Sequence, residues 1–287
     1  MRQYLDLVEK VLREGKEKHN RTGIDTISIT GGLIEYDWGK EWRFPILTSK
    51  KMAYKSMMTE LEFFIKGKTN KKWLKDRNCH IWDEWCSPKK VPYGTDEVTK
   101  EKMKNENDLG PIYGYQWRNF DGSEERRDGA DQLANIVTEI KTNPESRRMV
   151  CSAWNPNQIK DMALPPCHVL WQVLINTEEK TLDLVWFQRS CDLMLGVPFN
   201  LSSYATLQYL LCLESGKYSP GKLVGMLSDL HIYKNHLEGA KEQLKRKTHE
   251  LPKIRTENFK SIFNWEAKDT SLIDYVSEDK IKFEVAV

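Results

Sequence analysis

The sequence lacks any uninterrupted apolar run close to the ~20 residues that span a bilayer, and it lacks an excess of charge. Its 44 Lys and Arg face 42 Asp and Glu, a net charge of +2. The first absence argues against membrane insertion. The second removes the global positive field that drives non-specific nucleic-acid binding, so any anion site must be local. Repeats and low-complexity tracts are also missing, which points to one continuous domain over residues 1–287. No disulfide framework is legible either. The six cysteines, at 79, 86, 151, 167, 191 and 212, are irregularly spaced in a chain too long to need covalent staples. They read as reduced thiols of a cytoplasmic protein. Residues 1–20 carry charge throughout and lack the apolar stretch of a signal peptide.

What is present is a hydrophobic fraction of 39%, enough for a sizeable core. Ten Trp and eleven Tyr suit a cleft that stacks planar ligands, although composition alone favours ordinary packing. Leu5, Val8 and Leu12 recur at helical spacing and stop near Gly15. Residues 26–30 and 33–36 alternate as strands, and Gly31-Gly32 between them predicts a hairpin turn. A second apolar-faced helix is expected over 54–66, closed by Gly67 and carrying Glu60. Residues 87–107, rich in Lys, Glu and Asn, predict an exposed insertion or partly mobile loop. Helical periodicity returns over 130–142, strands over 168–176 and 181–188 flank a turn at 177–180, and an apolar helix follows over 202–214. Residues 281–287 read as a short strand or tail. The fold class expected is α+β, a large mixed twisted sheet packed by helices.

Four groups of residues carry the chemistry. Cys167 follows two prolines just before a predicted strand, a rigid setting for a nucleophile. A thiol attacks as thiolate, and Arg189 or the pair Arg147-Arg148 are candidate cations to favour that form. Any single cysteine is more often inert and buried. The block Gln188 to Asn200 ends a strand and enters a helix through Gly196 and Pro198. There Arg189 and Ser190 match phosphate oxygens, against the plainer readings of an ion pair for Arg189 and a helix N-cap for Asn200. His231 and Tyr233 alternate as strand neighbours able to face a sugar hydroxyl. His231 and His236 have the wrong spacing for a zinc helix, so no metal is expected. Arg21 and Arg147-Arg148 add small cationic clusters consistent with a dianionic phosphate.

In this order the blocks resemble the thymidylate synthase family along nearly the whole chain. The likeness is carried by Arg21-Thr-Gly, residues 44–50 ending in Lys50, the helix with Glu60, Ile81-Trp82-Asp83-Glu84-Trp85, and residues 110–118 with Tyr113. It continues through Ser146-Arg147-Arg148, Pro166-Cys167-His168, Gln188 to Asn200, and His231-Ile232-Tyr233. The resemblance implies a homodimer with a sheet face at its interface. Cys167 is implied to add to C6 of dUMP, with 5,10-methylenetetrahydrofolate as carbon donor and reductant. It makes Cys167, Glu60, Tyr113 and Asp192 catalytic. Arg21, His168, Gln188, Arg189, Ser190, Asn200, His231 and Tyr233 would bind the nucleotide, with Arg147 and Arg148 donated by the second subunit. Lys50, Ile81, Trp82, Trp85, Leu164, Asp192, Leu195, Gly196, Phe199, Val285, Ala286 and Val287 would face the folate. Asn200 indicates uracil, where an acidic residue would suit cytosine.

The sequence departs from the family at Ala53, where many members carry a histidine, in the length of 87–107, and at 274–279, which lacks a Pro-His-Pro stretch. A dUMP hydroxymethylase, sharing Cys167 and Glu60, is the nearest alternative. Trp82, Leu164 and Tyr113 suit a dry site that favours the synthase. An inactive or RNA-binding protein on the same scaffold is opposed by the intact Cys167 and Glu60. A zinc deaminase fails for want of its paired-cysteine motif.

Overall fold

The computed structural model describes residues 1–123 and 125–285. In chain order the elements are α1 (Arg2–Glu14), β1 (Lys16–Lys18), β2 (Thr26–Asp37), α2 (Tyr54–Ile65), α3 (Lys72–Lys75) and α4 (Glu97–Asn105). Next come α5 (Tyr113–Asn119), α6 (Gln132–Thr142), β3 (Val150–Ser152), β4 (His168–Asn176), β5 (Thr181–Asp192) and α7 (Gly196–Ser215). The chain ends with β6 (Ser219–Tyr233), α8 (Leu237–Lys245), β7 (Lys253–Thr256) and β8 (Thr270–Ile273). Six strands form one sheet in the order β1-β2-β6-β5-β4-β3, while β7 and β8 make a separate ribbon. Among the described residues only β5 and β6 run parallel within the large sheet; its other neighbours are antiparallel. The expected α+β class with a mixed sheet is therefore observed.

Strand patterning explains which face is covered. Leu182, Leu184, Trp186 and Gln188 alternate inward along β5, where the period of two puts them all beneath α7. That helix is buried on most of its circumference. Gln208 within it is fully paired: its side chain accepts from Trp38 at 2.8 Å and donates to the carbonyls of Leu182 and Lys222 at 2.8 and 3.0 Å. A buried amide so satisfied fixes the helix against two strands at once. On the opposite sheet face Leu33 and Met226 sit side by side in register, both about half exposed.

Three expectations change. Gly31-Gly32 does not turn a hairpin, because residues 26–37 form one strand paired with β6 in unbroken register. The glycines answer other needs there. Gly31 has φ +82°, and a Cβ on Gly32 would come within 2.9 Å of Leu230 and 3.2 Å of Leu7, so α1 approaches the strand too closely for a side chain. The helix expected from 202 begins at Gly196, since Pro198 lies in its first turn, where no intrahelical N–H is required.

The third change is an addition: residues 87–107 are mostly exposed, as expected, but also carry a helix. They contain α4, capped by Asp96 accepting from the Thr99 N–H at 2.9 Å. Their anchor is polar, which is why hydrophobicity did not reveal it. The fully buried ammonium of Lys71 donates to the carbonyls of Asp83, Trp85 and Met103 at 2.8, 2.7 and 2.9 Å. Residues 281–285 are not strand, and Ala286 and Val287 lie outside the described residues. Among the described residues no helix is long and apolar enough to cross a membrane.

Candidate active site

The parallel pairing of β5 with β6 brings their carboxyl ends together, and there Ser190 lies opposite Asp229 and Asp192 opposite His231. Antiparallel β4 begins at the same place, with His168 opposite Gln188. α2 contributes Glu60 and Phe64, and the first residue of α5 is Tyr113. Gly114 lets those two helices meet, since a Cβ there would lie 2.6 Å from the Phe64 carbonyl oxygen. The result is a cleft of about 1020 Å³, large enough for more than one small planar ligand.

Cys167 is held from three directions. Its N–H donates to Tyr113 Oη at 2.7 Å, and its carbonyl accepts from the Arg189 N–H at 2.9 Å. The Arg189 guanidinium donates to the Pro166 and Pro165 carbonyls at 2.8 Å each, so this arginine grips the proline turn that presents the thiol. Among the described residues it makes no ion pair, contrary to the plainer reading. The expected lowering of the thiol pKa is not found. Burial raises it, outweighing the attraction of Arg189, a hydrogen bond from Ser190 and the charge of Arg21. Arg147 and Arg148 are exposed and do not line this cleft. In the free chain the thiol is held ready rather than pre-ionised.

Glu60 faces the same space with a very different balance. Burial pushes its carboxyl up to about 7, partly offset by a 2.7 Å hydrogen bond from the Trp82 indole. A carboxyl poised there exchanges protons near neutrality. Tyr113 stacks on His168 with ring centroids 4.1 Å apart, and burial keeps its phenol protonated. His168 is driven down to about 3 by the same desolvation, with Nδ1 in a 2.7 Å hydrogen bond to the Tyr204 hydroxyl. That ring is neutral near pH 7.

Around these groups lie most of the expected binding residues. Gln188, Ser190, Asp192, His231, Tyr233 and Asn200 all line the cleft, as do Arg21, Ile81, Trp82, Trp85, Leu164, Leu195, Gly196, Phe199 and Val285. Asn200 is the fifth residue of α7 and not its N-cap; its carboxamide has no hydrogen-bond partner among the described residues, leaving both polar atoms for a ligand. Trp85 likewise has a buried indole N–H without an acceptor. Asp192 accepts from the N–H groups of Met194 and Leu195 at 2.9 and 3.2 Å, shaping the entry to α7. Lys50 is not on the wall. Its ammonium, lowered to about 8 by burial, donates to the Met194 carbonyl and lies 4.5 Å from the Phe283 ring centre.

Sequence reading missed several wall residues. Phe64 and Trp154 line the cleft, and Arg189 lies 5.2 Å over the Trp154 ring. Both look like core aromatics in sequence, and no spacing distinguishes them. His80 was detectable only as the neighbour of the Ile81–Trp85 block.

The family profile described as thymidylate synthase matches residues 2–287. A thymidylate synthase of Mycoplasma genitalium is 44% identical over 299 residues, covering all of both chains, and one of Mesoplasma florum is 44% identical with the same coverage. A bifunctional dihydrofolate reductase-thymidylate synthase of Leishmania major is 41% identical over 296 residues, which take in all of this chain and 55% of that longer protein. With a match from end to end and the cleft assembled from the same blocks, the chain belongs to the thymidylate synthase family.

Proposed function

We propose that this chain methylates dUMP to dTMP, with 5,10-methylenetetrahydrofolate as the carbon donor and reductant and dihydrofolate as the second product. The observation that carries this reading is the framing of Cys167 by Tyr113 and Arg189 in one cleft with an unpartnered Asn200 carboxamide. Asn200 offers a donor to uracil O4 and an acceptor to uracil N3–H. Cytosine presents the reverse pattern, and such a buried mismatch costs on the order of 1–3 kcal/mol.

Cys167 then adds to C6 of the bound pyrimidine, which turns C5 into a carbon nucleophile. Its thiol must lose a proton first, and the Ser190 hydrogen bond and the Arg189 and Arg21 charges favour the thiolate against the larger opposing effect of burial. Glu60 moves protons around the ring at a pKa suited to the task, and Trp82 orients it. Tyr113 assists removal of the C5 proton. The folate, when bound, supplies the one-carbon unit and the hydride that completes the methyl group. Residues fit to hold it are Ile81, Trp82, Trp85, Leu164, Asp192, Leu195, Gly196, Phe199 and Val285; the family resemblance alone adds Ala286 and Val287. The orphan indole N–H of Trp85 calls for a polar atom of a ligand.

The phosphate falls to Arg21, Arg189 and Ser190, and the sugar hydroxyl to His231 and Tyr233. Arg147 and Arg148 are assigned to the cleft of a second copy, because they stand outside their own. A homodimer built on the sheet face with Leu33 and Met226 would cover that exposed apolar pair. Six unpaired thiols suit a reducing, cytoplasmic setting. The test is an assay of dUMP with methylenetetrahydrofolate, followed by absorbance and product mass. Dihydrofolate formed with dTMP supports the synthase, and 5-hydroxymethyl-dUMP without dihydrofolate replaces it by the hydroxymethylase.

A further inference from the structure

Arg21 sits on the exposed turn at the cleft mouth, and among the described residues its guanidinium makes no hydrogen bond or ion pair. One contact restrains it: Cζ lies 5.3 Å from the ring centre of Tyr93. Tyr93 belongs to the 87–107 segment and is 43% exposed, so core packing does not account for it. From this geometry we infer that Tyr93 is a positioning residue for nucleotide phosphate, acting through Arg21. The inference rests on the nucleotide reading above.

A long side chain on an exposed turn loses rotamer freedom when it grips an anion, and that loss weakens binding. A ring face restrains the guanidinium beforehand. Cation–π contact uses the flat face of the group, whereas phosphate is held by its edge N–H donors, so the two interactions do not compete.

Tyr93 is itself placed by folded structure. Ser87 is buried, its N–H donating to Asp108 O at 2.7 Å and its hydroxyl to Asp161 O at 2.8 Å. The N–H groups of Lys90 and Val91 close a turn on the Ser87 carbonyl at 2.9 and 3.2 Å. On the other side, Gly94 packs so closely on α4 that a Cβ there would lie 2.8 Å from Thr99. α4 is tied in turn to Lys71 through the Met103 carbonyl. The same ammonium holds the carbonyls of Asp83 and Trp85. Tyr93 therefore connects the wall bearing Trp82 and Trp85 to the turn bearing Arg21, two parts of the mouth that are distant in sequence.

The experiment compares the full chain with Tyr93→Leu, which keeps apolar bulk but removes the aromatic face, and with Tyr93→Phe, which keeps the face. Steady-state turnover gives KM for dUMP and kcat, and deoxyuridine, which has no phosphate, serves as a competitive inhibitor. Tyr93→Leu is expected to raise KM for dUMP about two- to five-fold, with kcat and the deoxyuridine inhibition constant unchanged. Tyr93→Phe is expected to match the parent. An unchanged KM in Tyr93→Leu overturns the inference, as does an equal loss for deoxyuridine, which would make the ring a plain wall contact. If the parent chain itself does not turn over or bind dUMP, the nucleotide reading falls, and this one with it.

Discussion

The indole N–H of Trp82 donates to Oε1 of Glu60 across 2.7 Å, at a carboxyl that burial has raised to about 7. The two influences oppose each other. Desolvation penalises the anion, the indole hydrogen bond stabilises it, and the larger burial effect leaves the group half ionised near neutral pH.

Trp82→Phe removes the donor and keeps most of the ring. Glu60 should then titrate higher still, and the acid limb of the pH profile of kcat/KM should move toward higher pH. Activity near pH 6 should fall more than activity near pH 8. A superimposable profile would show that Glu60 does not set that limb.

Glu60→Gln tests the same group through stability. Its folded pKa of about 7 lies above the ordinary value of 4.5. Between those two pH values the folded chain holds more protons than the unfolded one, so stability falls as pH rises through the window. The neutral glutamine escapes that loss. At pH 8 the variant should be more stable than the parent by about 3 kcal/mol, and at pH 4 the two should coincide. Urea unfolding at both pH values measures the difference, while turnover should drop by about 10²–10⁴.

Cys167→Ser replaces the thiol by a hydroxyl that hardly ionises at neutral pH. Turnover should fall below about a thousandth, and dUMP binding should persist because Arg189 still grips the proline turn through the Pro165 and Pro166 carbonyls. Mass spectrometry of the parent with 5-fluorodeoxyuridylate and folate should show a covalent adduct that the variant lacks. Retained turnover in the variant would remove the nucleophile from the mechanism.

Most of this cleft was legible only through the resemblance of its motif blocks to the family, and a few of its residues were also marked by strand ends and helix starts. Cys167 before β4 and the Gln188–Asp192 run ending β5 are of that kind. The direction of the Cys167 pKa was not legible, since adjacent arginines are visible in a sequence while the depth of burial is not. Gly31-Gly32 misled for a related reason: glycine pairs serve both turns and close contacts, and only the approach of α1 decides which. Tyr93 and Trp154 stayed hidden because cation–π partners have no fixed spacing.

Asn200→Asp changes the base pattern the cleft can read. A carboxylate loses the donor to uracil O4, so dUMP affinity should fall roughly 10–100-fold, and dCMP, whose N4 amine offers a donor, should gain. Competitive binding of the two nucleotides settles the point. Equal losses for both would mean that Asn200 shapes α7 without contacting the base.

Lys71→Met isolates the polar anchor of α4. Three carbonyls, of Asp83, Trp85 and Met103, share one buried ammonium, and methionine fills similar volume without donating to any of them. Each carbonyl left buried and without a donor costs about 1–3 kcal/mol. The loss should be local first, because α4 offers only Met103 to the core while the Trp82 side is also held by its hydrogen bond to Glu60. Hydrogen exchange should therefore quicken over residues 97–105 before it does over 80–86. Uniform quickening across the chain would mean that the ammonium supports the whole fold, and no change would mean that the three carbonyls find water without penalty.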